Sequence, residues 1–135
     1  MSYAPRILVV DDEDEVRAFF ARILSGDGYY VTAVATACQA MAAVRNREFE
    51  LIVLDFSLPD GDGLEMTRQI RCEIPLLPIL AISGFMIGDI PHDAVAAGAN
   101  ATLSKPTTSS ALRRSVSELL AHADSGVQRY RIAGA

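Results

Sequence analysis

Cysteine, histidine, basic clusters and long apolar runs are all in short supply in this sequence, and each shortage closes off a class of function. Cys38 and Cys72 are the only cysteines, His92 and His122 the only histidines, and no metal-ligand spacing connects them. Both cysteines fall in stretches that read as helices, so a reduced thiol pair in a cytosolic protein is expected. The most apolar window, residues 74–82, is interrupted by Pro75 and Pro78 and is too short to cross a bilayer. The N-terminus lacks a signal-peptide pattern, and a cytoplasmic location is expected. The formal net charge is -5, with no cluster of basic residues, so neither nucleic acid nor an anionic membrane is an expected direct partner. With 135 residues there is no room for a second domain, although a chain of this length buries roughly two thirds of its unfolded surface. No internal repeat is present, and no glycine-rich phosphate turn follows the first apolar run.

What the chain does contain is organised around Leu51-Ile-Val-Leu-Asp-Phe-Ser-Leu-Pro-Asp-Gly-Asp-Gly63. Four apolar residues, two of them β-branched, read as a strand buried on both faces, and Pro59, Gly61 and Gly63 end it. The strand therefore delivers Asp55 to its carboxyl end. Before it, Arg6 to Val10 reads as a strand ending in the acidic run Asp11 to Glu15, and Val16, Phe19, Phe20, Ile23 and Leu24 recur at helical spacing. Gly26 and Gly28 stop that helix. Tyr29 to Ala35 reads as a second strand, and Thr36 as the cap of a helix with Ala40, Met41 and Val44 on one face.

After the Asp55 loop, residues 64–72 read as a third helix with Leu64, Met66 and Ile70 apolar, ended by Pro75. Residues 78–82 form a fourth buried strand that delivers Ser83 and Gly84. A loop with Gly88 and Pro91 leads into a short alanine-rich helix ending at Gly98. Ala101 to Ser104 is a brief fifth strand that presents Lys105-Pro106. A cap within Thr107 to Ser110 starts a last helix carrying Leu112, Val116, Leu119 and Leu120. Residues 5–122 read as the domain, and 123–135 as a tail or the start of a linker.

Five strands alternating with five helices imply an α/β fold, a doubly wound parallel sheet covered on both faces. Strand order 2-1-3-4-5, the flavodoxin-like arrangement, puts strands one and three at the switch point, beside which ligands bind. Periodicity alone leaves a Rossmann-like order open. In the first order Asp11, Asp12, Asp55, Ser83 and Lys105 all meet at one edge. Each also has an ordinary reading: acids near a helix start are favoured by its dipole, and a lone lysine or serine is commonly solvated or a cap. Crowded carboxylates repel by about 4 kcal/mol per pair at 4 Å and an effective dielectric near 20, so the cluster needs a cation. Few hard oxygen ligands suit Mg²⁺, and a carboxylate can attack phosphorus to give an aspartyl phosphate. Lysine and a hydroxyl would then steady the transferring group.

Taken together, Asp11-Asp12, the Asp55 loop with Leu58-Pro59 and Asp62-Gly63, Ser83, Gly98-Ala99 and Lys105-Pro106 resemble the receiver domain of two-component response regulators. The match runs from Ile7 to about Leu120. The resemblance implies that Asp55 accepts phosphate from a sensor histidine kinase or a histidine phosphotransfer protein. It implies that Asp12, Asp55 and the Ser57 backbone carbonyl bind Mg²⁺ directly, with Asp11 acting through water. Ser83 becomes the switch hydroxyl, Lys105 the partner of the phosphoryl group, and the peptide before Pro106 is expected to be cis. Such a domain is not an enzyme acting on other molecules; it promotes its own phosphorylation and dephosphorylation and passes the signal to a downstream protein.

Two positions depart from the family pattern. Thr102 stands where the family usually has an aromatic switch residue, and Thr107 where it tends to carry Phe. The Phe85 to Pro91 loop is the expected moving part in their place. Two other readings use the same residues: an interaction module that works without phosphorylation, and a haloacid-dehalogenase-type phosphohydrolase. The second has its nucleophile in a D-x-D arrangement after the first strand and carries a cap insertion; here the first strand ends in adjacent acids, the candidate nucleophile follows strand three, and the chain lacks a cap-domain insertion.

Overall fold

The computed structural model describes residues 4–58, 63–84 and 90–124. Along the chain run β1 (Arg6–Val10), α1 (Asp14–Gly26), β2 (Tyr30–Val34), α2 (Ala37–Asn46), β3 (Leu51–Asp55), α3 (Gly63–Glu73), β4 (Ile79–Ser83), α4 (Ile90–Ala97), β5 (Ala101–Ser104) and α5 (Ser109–Asp124). The strands form one parallel sheet in the order β2-β1-β3-β4-β5, the flavodoxin-like order expected from the sequence. In the register of β1 on β3, Val10, the last residue of β1, lies opposite Leu54, one residue before the end of β3.

Alternation along the strands sends their side chains to two cores. Leu8, Val10, Ile52, Leu54 and Ile79 pack with Ala40, Met41, Val44, Met66 and Ile70 of α2 and α3. Ile7, Val9, Leu51, Val53, Leu80 and Ile82 pack with Phe20, Leu24, Leu112 and Val116 of α1 and α5. Burial on both faces is why the central strands read as unbroken apolar runs. No helix among the described residues is long and apolar enough to cross a membrane.

Capping bonds explain most boundary differences of one or two residues. Thr36 Oγ1 accepts from Gln39 N at 3.1 Å and starts α2 as expected. Ala35 was expected in β2, but its N–H donates to Gln39 Oε1 at 2.9 Å. Tyr29 N donates to Leu24 O as α1 closes, which likewise leaves Tyr29 outside the strand. Thr108 is the hydroxyl that caps α5, accepting from Ala111 N at 3.1 Å. That helix runs through Asp124, so Ala123 and Asp124, read from sequence as the start of a tail, continue its last turn. Gly28 (φ 92) and Gly98 (φ 123) take the left-handed backbone that ends a helix. The loop expected around Phe85 and Gly88, the Pro59 to Asp62 turn and the tail from residue 125 lie outside the described residues.

Candidate functional site

Each strand hands its last backbone groups to the sheet ladder before the chain turns, which fixes where the polar residues sit. Asp11 follows β1, and its N–H still donates to Val34 O at 3.1 Å. Asp55 is the last residue of β3, and the next N–H, of Phe56, donates to Ile82 O at 2.8 Å. Lys105 follows β5 and donates its N–H to Ser83 O at 2.8 Å, tying the ends of β4 and β5 together. The Lys105–Pro106 peptide is cis, as expected.

Asp11 and Asp55 are each 1 % exposed, while Asp12 is exposed. One carboxylate oxygen from each of the three lies within 4.8 Å of the others, so the sequence-predicted acids do converge. Asp11 Oδ1 accepts from Glu13 N at 2.8 Å, and Asp55 Oδ1 from Ser57 N at 2.9 Å, turns that orient the second oxygen of each acid toward the crevice. The helix-dipole role belongs to neither Asp11 nor Asp12, because the first turn of α1 carries Asp14 and Glu15 instead.

The ammonium of Lys105 enters this cluster. Its Nζ lies 3.0 Å from Asp11 Oδ2, 3.2 Å from Asp55 Oδ2 and 3.4 Å from Glu13 Oε1, with the side chain 15 % exposed. The contact with Asp11 is an ion pair, and no hydrogen bond of good geometry reaches Oδ2 among the described residues. A buried oxygen left in that state, beside two further carboxylates, is a donor set that fits a hard divalent cation. Burial raises the Asp55 pKa above its ordinary value; the Ser57 N–H opposes the rise, Asp11 adds to it, and Lys105 opposes it. Burial works to lower the Lys105 pKa, but the close carboxylates of Asp11 and Asp55 outweigh it, and the net shift is upward.

Ser83 is buried at the end of β4, one residue beyond Ile82, which lies opposite Asp55 in the register. Gly84 follows against the Asp55 turn: a Cβ there would lie 3.8 Å from Ser57 Oγ. Gly63 brings α3 onto the same turn, where a Cβ would come within 2.7 Å of Phe56 Cα. Thr102 is not part of the cluster. It sits within β5 opposite Ala81, 5 % exposed, and its hydroxyl has no hydrogen-bond partner among the described residues. Sequence reasoning missed Glu13, the third carboxylate on Lys105, and Arg17, whose Nη1 donates to Asp11 O at 2.9 Å and braces the acidic turn. The acidic run was their one signal, and Lys105, the only lysine in the sequence, was the natural partner to seek for it. A cavity of about 760 Å³ opens at the opposite, amino-terminal edge of the sheet between Phe49, Leu76, Pro78 and Leu120, and it holds none of these residues.

A parallel α/β sheet whose carboxyl edge gathers Asp11, Asp12, Asp55 and Lys105 defines a small acidic crevice whose carboxylates could hold a metal ion. Residues 7–117 match the family model described as the response regulator receiver domain, and the chain belongs to that family. It is 33 % identical over 116 residues to the transcriptional regulatory protein ZraR of Klebsiella oxytoca, covering 86 % of this chain and 26 % of that protein. It is 36 % identical over 100 residues to the KDP operon transcriptional regulatory protein KdpE of Escherichia coli K12, covering 74 % of this chain and 44 % of that one. A CheY-like response regulator receiver domain protein from Methanospirillum hungatei JF-1 superposes with a TM-score of 0.88 at 28 % identity, over 92 % of this chain and 99 % of that chain. This chain thus spans less than half the length of either regulator.

Proposed function

We propose that residues 5–122 act as the phosphoacceptor of a two-component phosphorelay in the cytoplasm. The observation that carries this reading is the placement of Asp55 Oδ2, 3.2 Å from the Lys105 ammonium and within 4.8 Å of carboxylate oxygens of Asp11 and Asp12. An Asp55 oxygen attacks the phosphorus of a phosphohistidine on a sensor kinase or phosphotransfer protein. The new bond is O–P; the N–P bond breaks, and its electron pair and a proton go to the histidine nitrogen. Asp12, Asp55 and the Ser57 carbonyl would hold Mg²⁺, with Asp11 behind it, and the ion would supply charge neutralisation for the phosphoryl oxygens.

The remaining residues position the group. Lys105 faces the incoming oxygens, and Ser83 ends β4 with Gly84 following it, so that hydroxyl and backbone donors can follow the phosphoryl group. Phosphorylation adds charge where carboxylates already crowd, and only contacts that differ between two states shift a population. Thr102 and Pro106 lie on the segment that leads away from the site and carry that shift toward a downstream protein. ZraR and KdpE are called transcriptional regulatory proteins, and a comparable output for a longer form of this chain is part of the same proposal.

Intact-mass spectrometry after incubation with acetyl phosphate and Mg²⁺ tests the reading, with EDTA and Asp55→Asn as controls. A gain of one phosphoryl group is expected in the wild type alone, and only with Mg²⁺. Equal labelling of Asp55→Asn would refute the assignment. A second reading, an interaction module independent of phosphorylation, draws on Thr102, whose hydroxyl has no partner among the described residues at the position where the family usually has an aromatic ring. Mg²⁺ binding without any mass gain would favour it. A phosphohydrolase would turn over excess small phosphoester, and no such turnover is expected.

A further inference from the structure

Of the three carboxylates around the Lys105 ammonium, only those of Asp11 and Asp55 belong to the cluster able to hold a metal ion. The third, Glu13, stands at the N-cap of α1 yet makes no side-chain cap hydrogen bond, and it is 62 % exposed. Its neighbour Asp14 is taken up by Arg17. The Glu13 carboxylate therefore reaches across the mouth of the crevice to a lysine 92 residues away in sequence.

We propose that Glu13 is a positioning residue for Lys105, holding the ammonium at the crevice mouth in competition with the phosphoryl group. The inference rests on the phosphoacceptor reading. When Asp11 and Asp55 turn to a cation, Lys105 loses two of its three anions and keeps Glu13. A phosphoryl group arriving on Asp55 must then draw the same ammonium away from a carboxylate that shares its sign of charge. Glu13 thereby sets how readily the site is phosphorylated without touching either the metal or the transferred group.

The test compares acetyl phosphate labelling rates of wild type, Glu13→Gln, Glu13→Asp and Glu15→Gln in excess Mg²⁺. An exposed ion pair corresponds to a factor of about 1.5 to 5, so Glu13→Gln should label faster by that much at low salt. The gain should shrink as the Debye length falls to roughly 3 Å at 1 M salt. Glu13→Asp keeps the charge but withdraws the carboxylate by one methylene, and should also label faster. Glu15→Gln removes the same charge from the same region, with no contact to Lys105 among the described residues, and should stay near wild type. Because Lys105 is the only lysine, isotope-labelled lysine gives one side-chain NMR signal; Glu13→Gln should move it and Glu15→Gln should not. Equal rates and an unmoved signal in Glu13→Gln would overturn the inference, as would a matching change in Glu15→Gln. A wild type that takes up no phosphoryl group would instead overturn the phosphoacceptor reading.

Discussion

Replacing Lys105 by Met keeps most of the stem and deletes the ammonium from between two buried acids. Attraction to each of Asp11 and Asp55, at 3.0 and 3.2 Å, is about 5 kcal/mol at an effective dielectric near 20. With the ammonium gone, the two acids face each other within 4.8 Å, a repulsion of about 3.5 kcal/mol at the same dielectric. Two effects hold the net loss below these gross terms. The ammonium no longer has to be desolvated, and Asp55, whose pKa burial already raises, can take up a proton. Removing one partner of a buried ion pair costs about 3–5 kcal/mol, and the retained apolar stem places this case near 3. At about 3–4 °C per kcal/mol for a chain of this size, Lys105→Met should melt about 10 °C lower in EDTA. Mg²⁺ should then raise the variant's Tm by more than the wild type's, because in the wild type the ion competes with the ammonium for the same oxygens. Circular dichroism melts in EDTA and in Mg²⁺ measure both differences, and adding Asp55→Asn to Lys105→Met should recover part of the loss. A Lys105→Met melt in EDTA indistinguishable from wild type would refute the view that this ammonium neutralises the cluster.

The pKa of Asp55 gives a prediction of opposite sign. Burial lifts the folded-state value above the ordinary 3.8, so the folded protein gives up that proton less readily than the unfolded chain. Stability therefore falls as pH rises from 3.8 through the folded pKa, and Asp55→Asn should melt above wild type at pH 7 in EDTA, with the gap closing below pH 3.8. Asn100→Ala removes the oxygen that accepts from Ile79 N and Arg71 Nη2, each at 2.8 Å, and should cost about 2–3 kcal/mol by urea unfolding, with Asn100→Asp milder. Gly63→Ala forces a Cβ within 2.7 Å of the Phe56 backbone beside Asp55, and should destabilise by about 1–3 kcal/mol in the same assay. Thr102→Val keeps the shape and drops a hydroxyl with no partner among the described residues, so stability should hold or rise by about 1 kcal/mol; a clear loss would show that the hydroxyl is bonded.

The fold was legible because the apolar pattern is redundant. Every strand from β1 to β5 is short, β-rich and bounded by turn residues, and two-sided burial leaves no polar position within the central strands to confuse the period. The main acids were legible because strand ends mark the ligand edge of such a sheet. Glu13 and Arg17 were not, since a charge run reads the same whether its members are solvated or meet a lysine contributed by the last strand. Thr102 shows a third case. Its position on β5 followed from counting back from Lys105, but its unpartnered hydroxyl depends on what packs over β5, which no local pattern encodes. Boundary errors had a similar origin, as with Ala35, whose N–H is taken by the side chain of Gln39 in the following helix.

The arrangement of the site follows from where the backbone stops being free. The N–H groups of Asp11, Phe56 and Lys105 all remain in the parallel ladder, bonded to Val34, Ile82 and Ser83. The side chains that repel one another are therefore anchored by strand pairing on both sides, and the repulsion cannot be relieved by spreading the strands without breaking that ladder. What can change is the cation. In the structure an ammonium on a flexible stem stands among the acids, and the same oxygens form a donor set for a small divalent ion. Under the proposed phosphoacceptor reading, exchange of one cation for the other would free the lysine to face a phosphoryl group on Asp55, while the sheet that holds the acids would stay as it is. In that reading, a rigid edge with one exchangeable charge would let the domain change its surface without refolding its core.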